Sequence, residues 1–181
     1  MPKPAYLIIL LLGLITTFPA SADTIRDPGV HFFQDSFGDF QEEAGIAAEQ
    51  GLFGVMIMFE ATDCPWCERM KQHVLNQVAV QDYYRQHFRI LTVNIDGDIP
   101  LTDFGGNTIS EKDFSLKQHR VRATPAFLFF DTNGKLATRY TGASRDAQEF
   151  LWLGEFVVDG HYQNRRFPEF KRQKRAALNQ S

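Results

Sequence analysis

Two cysteines, Cys64 and Cys67, are the only ones in the chain, and Pro65 and Trp66 separate them. They follow an apolar run from Val55 to Ala61, which is typical of a buried strand, and they precede a segment with helical spacing of apolar residues. The first turn of a helix has unpaired N–H groups and partial positive charge, so a cysteine there is stabilised as a thiolate. Pro65 suits this turn because its missing N–H is not needed there. The sequence therefore predicts a reactive pair, in which Cys64 attacks and Cys67 resolves.

Other roles for the cysteine pair remain open at this point. A structural disulfide normally joins distant segments, because closing a longer loop removes more entropy from the unfolded chain. A zinc site needs about four ligands, and only His73 lies near the pair in sequence. Haem attachment requires a histidine directly after the second cysteine, where this chain has Glu68. A plain structural disulfide or two unreactive thiols stay as alternatives, and we expect neither a metal nor an organic cofactor.

The N-terminus has the pattern of an export signal. Lys3 precedes an apolar run from Ala5 to Phe18, which is short for a membrane span, and Ala20-Ser21-Ala22 follows it. We expect a signal peptide over residues 1–22, cleavage after Ala22, and a periplasmic or otherwise exported protein. A buried core helix or an uncleaved anchor is the alternative. Because no cysteine follows the run, we expect no lipid anchor there.

The rest of the chain alternates between helix and strand patterns. In chain order, we first expect an irregular stretch at 23–35 and a helix from Ser36 to Gly51, in which Phe37, Phe40, Ala44 and Ala47 recur at helical spacing. A strand at 55–61, a helix after Cys64 that reaches Val78, and a strand at 90–95 come next. The remaining expected segments are a loop at 96–107, a helix from Ser110 to His119, strands at 126–130 and 136–141, and a helix at 146–158. A strand–helix–strand segment favours parallel pairing, and the final hairpin adds antiparallel strands. The expected fold class is α/β, with a mixed central β-sheet covered by helices on both faces.

Positive charge is concentrated near the C-terminus. Residues 163–181 contain six lysines and arginines against a single acid, Glu169. We expect a basic tail at 161–181 that is solvated and partly frayed; contact with an acidic partner or anionic lipid is the alternative. Residues 23–50 would then form an N-terminal extension and first helix, and 51–160 the main domain. We expect a monomer, and without a basic patch elsewhere we expect no binding of nucleic acid.

Several separate segments together resemble thioredoxin. In the order and spacing of that family, they are Phe59 to Cys67, Val93 to Asp96, Val121 to Pro125, Asn133 to Lys135, and Gly142. The resemblance covers residues 50–158 and implies the thioredoxin fold and a thiol–disulfide oxidoreductase that reduces protein disulfides. With the export signal at the N-terminus, we expect this activity in the periplasm. Phe59-Glu60 and the insertion at 103–106 are also similar to exported thioredoxins linked to sulfur oxidation and cytochrome maturation. That similarity implies a membrane electron donor as partner, besides the protein thiol and disulfide substrates.

The resemblance also implies roles outside the cysteine pair. In the family, the proline that corresponds to Pro125 is cis and faces the cysteine motif, and the residue before it, here Thr124, offers its backbone to the substrate. Without the cysteine motif, an X-Pro bond that enters a strand is more simply a trans strand start. Together with Pro65 and Trp66, Thr124 and Pro125 are the expected substrate-binding residues.

The chain departs from the family in its acidic residues. The family's buried aspartate falls on Met58, and Glu60 follows two positions later on the same strand face. We hypothesise that Glu60 accepts the proton of Cys67; a surface glutamate at the strand end is the alternative. Asp63 replaces the family's tryptophan, and an acid beside Cys64 opposes thiolate formation. A thiol oxidase, an isomerase, or a non-catalytic module that binds copper or a partner protein stays as an alternative function.

Overall fold

A computed structural model of the protein describes residues 25–180, so the expected signal peptide at 1–22 lies outside the described residues. The helices are α1 (Pro28–His31), α2 (Phe40–Glu49), α3 (Pro65–His73), α4 (Val78–His87), α5 (Glu111–Asp113), α6 (Ala147–Val158) and α7 (Phe167–Leu178). The strands are β1 (Gly54–Glu60), β2 (Phe88–Asn94), β3 (Pro100–Thr102), β4 (Thr108–Ser110), β5 (Ala126–Asp131) and β6 (Leu136–Thr141). A π-helical turn (Phe114–Gln118) continues α5, and a 3-10 turn (His161–Gln163) precedes α7.

Four strands form the central sheet in the order β2-β1-β5-β6. β1 pairs in parallel with β2 and antiparallel with β5, while β5 and β6 form an antiparallel hairpin. The parallel pair requires a crossover, which α3 and α4 supply. The predicted α/β class and mixed sheet are therefore confirmed.

Two hydrophobic cores lie on opposite faces of this sheet. Along β1, Met56 and Met58 point into the core that α3, α4 and α6 cover, whereas Ile57 and Phe59 point into the core that α2 and the π-helical turn cover. Successive strand residues face opposite sides, so a strand buried on both faces is apolar throughout. The sequence of β1 shows this pattern, and the predicted helices on both faces of the sheet are present.

The predicted single helix after Cys64 is instead two helices. α3 ends at His73, and α4 begins at Val78 with Gln77 as its N-cap in an extended conformation. Ile25 forms an antiparallel bridge with Gln77, and the N–H of Arg26 donates to the C=O of Asn76 at 3.0 Å. The chain between the two helices pairs with the N-terminal segment, and this pairing requires an extended backbone. The prediction used only the spacing of apolar residues, which continues across the break.

The stretch before β1 also differs from expectation. Residues 23–35 were expected to be irregular, but α1 forms a helical turn with Asp27 as its N-cap, and Phe32 is fully buried. The next helix begins at Phe40 rather than near Ser36, because the Asp39 carboxylate caps it by accepting the N–H of Glu42 at 3.0 Å. Phe37 therefore lies outside the helix and is fully exposed. The predicted end of this helix at Gly51, where φ is +67°, is confirmed.

The expected loop at 96–107 contains a small β-hairpin. β3 and β4 pair antiparallel, and Asp103 closes the turn between them by accepting the N–H groups of Gly105 and Asn107. In this turn, Phe104 packs its ring 4.5 Å from that of Phe130, and Gly134 makes room for it, since a Cβ there would come within 2.5 Å of Phe104 Cβ. The hairpin is thereby fixed to the β5–β6 turn.

The expectation of a solvated, frayed tail at the C-terminus is wrong. α7 packs on α6 through Phe167 and Phe170, which are both buried and lie against Phe156. Its cations neutralise a buried acid, since the Glu149 carboxylate accepts hydrogen bonds of 2.8 Å from both Lys171 and Arg175. The basic residues that suggested a solvated tail are partly used inside the molecule. The domain boundaries at 50 and 160 stay a prediction.

Among residues 25–180, no helix is long and apolar enough to cross a membrane.

Candidate functional site

Cys64 and Cys67 are joined by a disulfide at the start of α3. Cys64 is the N-cap residue, and its Sγ accepts the N–H of Cys67 at 3.1 Å. Its C=O accepts the N–H of Glu68 at 3.1 Å. Cys64 keeps 8% of its surface exposed and Cys67 only 1%, so Cys64 is the sulfur that a bulky partner can reach.

The local backbone explains why this disulfide is chemically useful. β1 delivers the chain to the helix start, and Pro65 occupies the first helical turn. After reduction, the N–H that now points at Cys64 Sγ and the positive end of the helix dipole would both favour a thiolate on Cys64. The predicted position of the pair, at a strand–helix junction, is confirmed.

Thr124 and Pro125 lie at the same end of the sheet as the disulfide. The peptide bond between them is cis, and Pro125 is buried while Thr124 is half-buried. The next residue, Ala126, pairs with Phe59, so Pro125 sits beside the end of β1, from which the chain continues to Cys64. The C=O of Pro125 accepts the N–H of Gly142 at 2.8 Å, which brings the loop after β6 to the same place.

Trp66 is 60% exposed and is held from one side by Arg69, whose guanidinium carbon lies 5.9 Å from the ring centroid. The same guanidinium donates to the C=O groups of Ser144 and Arg145, at 3.1 Å each. Arg69 thus connects the exposed indole, α3 and the loop between β6 and α6. The sequence interpretation missed Arg69. Its spacing of three residues from Trp66 on a helix was the available signal.

Glu60, the proposed proton acceptor, ends β1 with 21% of its side chain exposed. Its Oε2 lies 2.6 Å from the Nζ of Lys71, a residue of α3 that also lies 3.6 Å from Glu68. Glu60 and Lys71 line an open groove of about 720 Å³ between α3 and the N-terminal segment. The structure therefore places Glu60 in an ion pair with the helix that carries the cysteines, next to solvent. Its role in proton transfer stays a prediction.

A second carboxyl group near Glu60 was missed as a site residue. Glu111 accepts the N–H of Asn94 at 3.1 Å, and Asn94 is the residue of β2 that pairs with Glu60. Burial, together with the charge of Glu60, raises the pKa of Glu111 above its usual range. Two carboxyl groups from distant segments therefore meet at the ends of β1 and β2. No spacing in the sequence reveals this, because folding alone brings these segments together.

The comparisons with known proteins agree with this geometry. The sequence profile of a thioredoxin-like domain matches residues 40–157, which include both cysteines, Glu60 and the cis-proline. The chain belongs to the thioredoxin-like family. A comparison with curated proteins found no match.

Three solved structures show how far the similarity of this thioredoxin-like protein extends. A thioredoxin-fold protein from Helicobacter pylori is 25% identical, with a TM-score of 0.56, over 70% of this chain and 85% of that one. A proposed disulphide-isomerase from Bacteroides thetaiotaomicron is 26% identical, with a TM-score of 0.55, over 77% and 97%. A thioredoxin from Thermus thermophilus is 23% identical, with a TM-score of 0.52, over 75% and 88%, and supports the fold alone. The predicted thioredoxin fold is confirmed.

The thioredoxin-like site thus combines a disulfide at a helix start with a neighbouring cis-proline and an exposed indole. Among residues 25–180, no group of three or more histidine, cysteine, aspartate or glutamate side chains is placed to hold a metal ion. The arrangement suits thiol–disulfide exchange, in which a reduced Cys64 forms a mixed disulfide and Cys67 resolves it.

Proposed function

We propose that the protein is an exported thiol–disulfide oxidoreductase that reduces protein disulfides through Cys64 and Cys67 and is reduced again by a membrane electron donor. The observation that carries this proposal is the asymmetry of the pair. Cys64 Sγ is partly exposed and receives a backbone N–H, whereas Cys67 is buried beneath it. This asymmetry assigns attack to Cys64 and resolution to Cys67.

Thiol–disulfide exchange moves two electrons to the substrate in two steps. The Cys64 thiolate attacks one sulfur of a substrate disulfide, so that a bond forms between Cys64 and the substrate and the second substrate sulfur leaves as a thiolate. Cys67 then loses its proton and attacks Cys64 Sγ, which releases the first substrate sulfur and forms the Cys64–Cys67 disulfide. Two electrons have passed from the protein to the substrate. The electron donor must return two electrons before the next cycle.

Substrate docking is assigned to the surface around the disulfide. Trp66 is exposed next to Cys64, and Pro65 precedes it in the first helical turn. Thr124, just before the cis bond, is half-buried at the same end of the sheet. An extended substrate segment that pairs with the backbone of Thr124 would bring its disulfide to Cys64.

Two experiments with insulin, a model protein that contains disulfides, test the proposal. The first measures the reduction of insulin, and the second traps the mixed disulfide. With dithiothreitol as reductant, the wild type should accelerate insulin reduction, and Cys64→Ser should abolish this activity. Cys67→Ala should accumulate an adduct through Cys64, because the resolving thiol is missing. Copper retention by the reduced protein without any adduct would contradict the proposal and favour a binding module.

Glu60 supplies a separate prediction. If Glu60 accepts the proton of Cys67, Glu60→Gln should slow resolution of the mixed disulfide by about a hundredfold near neutral pH, the size typical of general-base catalysis. The matched control is Glu68→Gln, which removes the other carboxylate near Lys71 and should leave this rate unchanged. Stopped-flow measurement of the resolution rate against pH checks both variants. An unchanged pH profile in Glu60→Gln would show that Glu60 only holds Lys71.

The direction of electron flow follows from the reduction potential. Equilibration against glutathione, followed by alkylation of free thiols, gives this potential directly. We expect a value near that of thioredoxin, about −270 mV, since Asp63 next to Cys64 disfavours the strongly stabilised thiolate of an oxidant. A value near −120 mV, that of a strong exported oxidant, would reverse the proposed direction and make the protein an oxidase.

A further inference from the structure

An open groove of about 420 Å³ follows the outer edge of β6, the last strand of the sheet. One wall is the strand from Thr138 to Thr141, and the other is formed by Tyr162 and the segment 165–168, which leads into α7. A second groove continues along β6 past Leu136 and shares Tyr162 with the first. The outer edge of β6 is therefore open along most of its length and faces a second wall of protein.

The charged residues that line this groove are all cations. They are Arg139, Arg165, Arg166 and Lys171. Lys171 is neutralised by Glu149, but Arg165 donates to the neutral side chain of Gln173, and Arg139 donates to the C=O of His119. Within residues 25–180, none of the three arginines forms an ion pair. The groove therefore carries positive charge that the described part of the chain does not neutralise.

The backbone of β6 adds a second kind of recognition. The N–H of Gly142 points toward β5 and donates to the C=O of Pro125. Thr141, one residue earlier, pairs in register with Ala126. In an antiparallel pair, successive residues point their N–H and C=O groups alternately toward the partner strand and away from it. The N–H and C=O groups of Thr141 and Arg139 therefore face the groove, and no group in the described residues bonds to them.

Side chains of an added strand would meet cations on both of its faces. Tyr140 lies on the α7 side of the sheet, where its ring is 5.6 Å from that of Phe167. Arg139 points to the opposite side, where its guanidinium reaches the C=O of His119. Arg165 and Arg166 belong to the segment that leads into α7. Acidic side chains on either face of an extended segment would thus find an arginine.

We propose that the groove along β6 binds an extended segment of a partner protein that carries consecutive acidic residues, as an added strand of the sheet. The free N–H and C=O groups of Arg139 and Thr141 would pair with the backbone of the segment, and the arginines would select its charge. This docking surface lies outside the cysteine pair and does not depend on the redox chemistry.

The test uses the whole protein with its disulfide intact. The probe is the blocked peptide Val-Glu-Glu-Val-Glu-Glu-Val, and the measurement is an NMR titration combined with amide hydrogen exchange. We expect saturable shifts along β6, and slower exchange at the amides of Arg139 and Thr141 when the peptide is bound. The amide of Tyr140, which faces β5, should keep its exchange rate.

Two controls make the result specific. Arg166→Glu should weaken binding of this peptide by about tenfold, because it reverses one charge of the groove. Arg172→Glu, on an exposed position of α7 that does not line the groove, should leave the affinity unchanged. Both variants are checked for an unaltered thermal transition, since both positions are exposed.

Several outcomes would overturn the proposal. They are the absence of saturable binding, equal binding of the peptide with lysine in place of glutamate, shifts without slower exchange at Arg139 and Thr141, and self-association of the free protein through the same amides. Binding to vesicles of anionic lipid without binding of the peptide would likewise assign the groove to a membrane surface.

Discussion

At the scale of single residues, His119 shows how strongly the core controls ionisation. Its ring packs 4.5 Å from that of Phe114 and 5.1 Å from that of Phe130. Burial, followed by the nearby charge of Arg139, lowers the pKa of His119 to about 4, although Asp103 acts in the opposite direction. The histidine is therefore neutral in the folded protein at any pH above that value. The sequence pattern does not predict its contacts with these rings.

Stability should consequently fall in mild acid. The unfolded chain binds a proton at His119 below about pH 6.5, while the folded protein does not until about pH 4, so the free energy of unfolding decreases as the pH falls through this window. His119→Gln should remove that part of the pH dependence, whereas His73→Gln, at an exposed position, should retain it. Urea unfolding at a series of pH values measures the slope. An identical slope in wild type and His119→Gln would contradict the prediction.

A site residue was predictable when the residues that determine its position lie close to it in the sequence. The position of Cys64 at a helix start was predictable because the strand, the proline and the helical pattern are all adjacent in the chain. Arg69 and Glu111 were missed as site residues because their partners, the carbonyls after β6 and the end of β2, come from distant segments. Asp39 took the cap that the sequence pattern assigned to Ser36, since both residues satisfy the same capping rule.

At the scale of elements, α7 is the main difference from the sequence interpretation. Its charge suggested a solvated tail, yet the spacing of Phe167, Phe170 and Lys171 places two rings and a cation on one helix face toward α6. That interpretation followed the many basic residues of the segment and overlooked the helical spacing of its phenylalanines. The strands were predicted well because β1 and β5 are buried on both faces and therefore continuously apolar, whereas the β3–β4 hairpin depends on the turn at Asp103.

Removing one ring should show that α7 stabilises the domain. Phe170→Ala should lower the free energy of unfolding by about 3 kcal/mol, because the ring is 5% exposed and its loss leaves a cavity against Phe156. Phe37→Ala is the matched control, since Phe37 is fully exposed and should change the stability by less than about 0.5 kcal/mol. Denaturant titration measures both. A loss near zero for Phe170→Ala would mean that α7 detaches in solution.

At the scale of the whole molecule, the two cores depend on the same strands. β1 sends alternate side chains into each, and β5 does the same with Phe127 and Leu128. Neither core can persist once the strands separate, so unfolding should be a single cooperative transition. The fluorescence of Trp152, a residue of α6 that is buried in one of the two cores, should change at the same denaturant concentration as the far-ultraviolet circular dichroism. Two separated transitions would show that one core unfolds independently. A Trp66→Phe background removes the exposed indole from the signal.

The pairing of Glu149 with Lys171 and Arg175 also bears on the order in which segments fold during synthesis. The ribosome releases α6 before α7, so the acid leaves the ribosome before the two cations that neutralise it. An unpaired carboxylate is costly to bury, so we expect the surface under α7 to stay open until the cations that pair with Glu149 have been synthesised. A chain that ends before α7 would lack Phe167 and Phe170, which cover Phe156, together with both cations that pair with Glu149, and its exposed apolar surface would be a ready target for a protease. Because Glu149 pairs with Lys171 and Arg175, we expect the surface of α6 to be covered only when α7 has been synthesised.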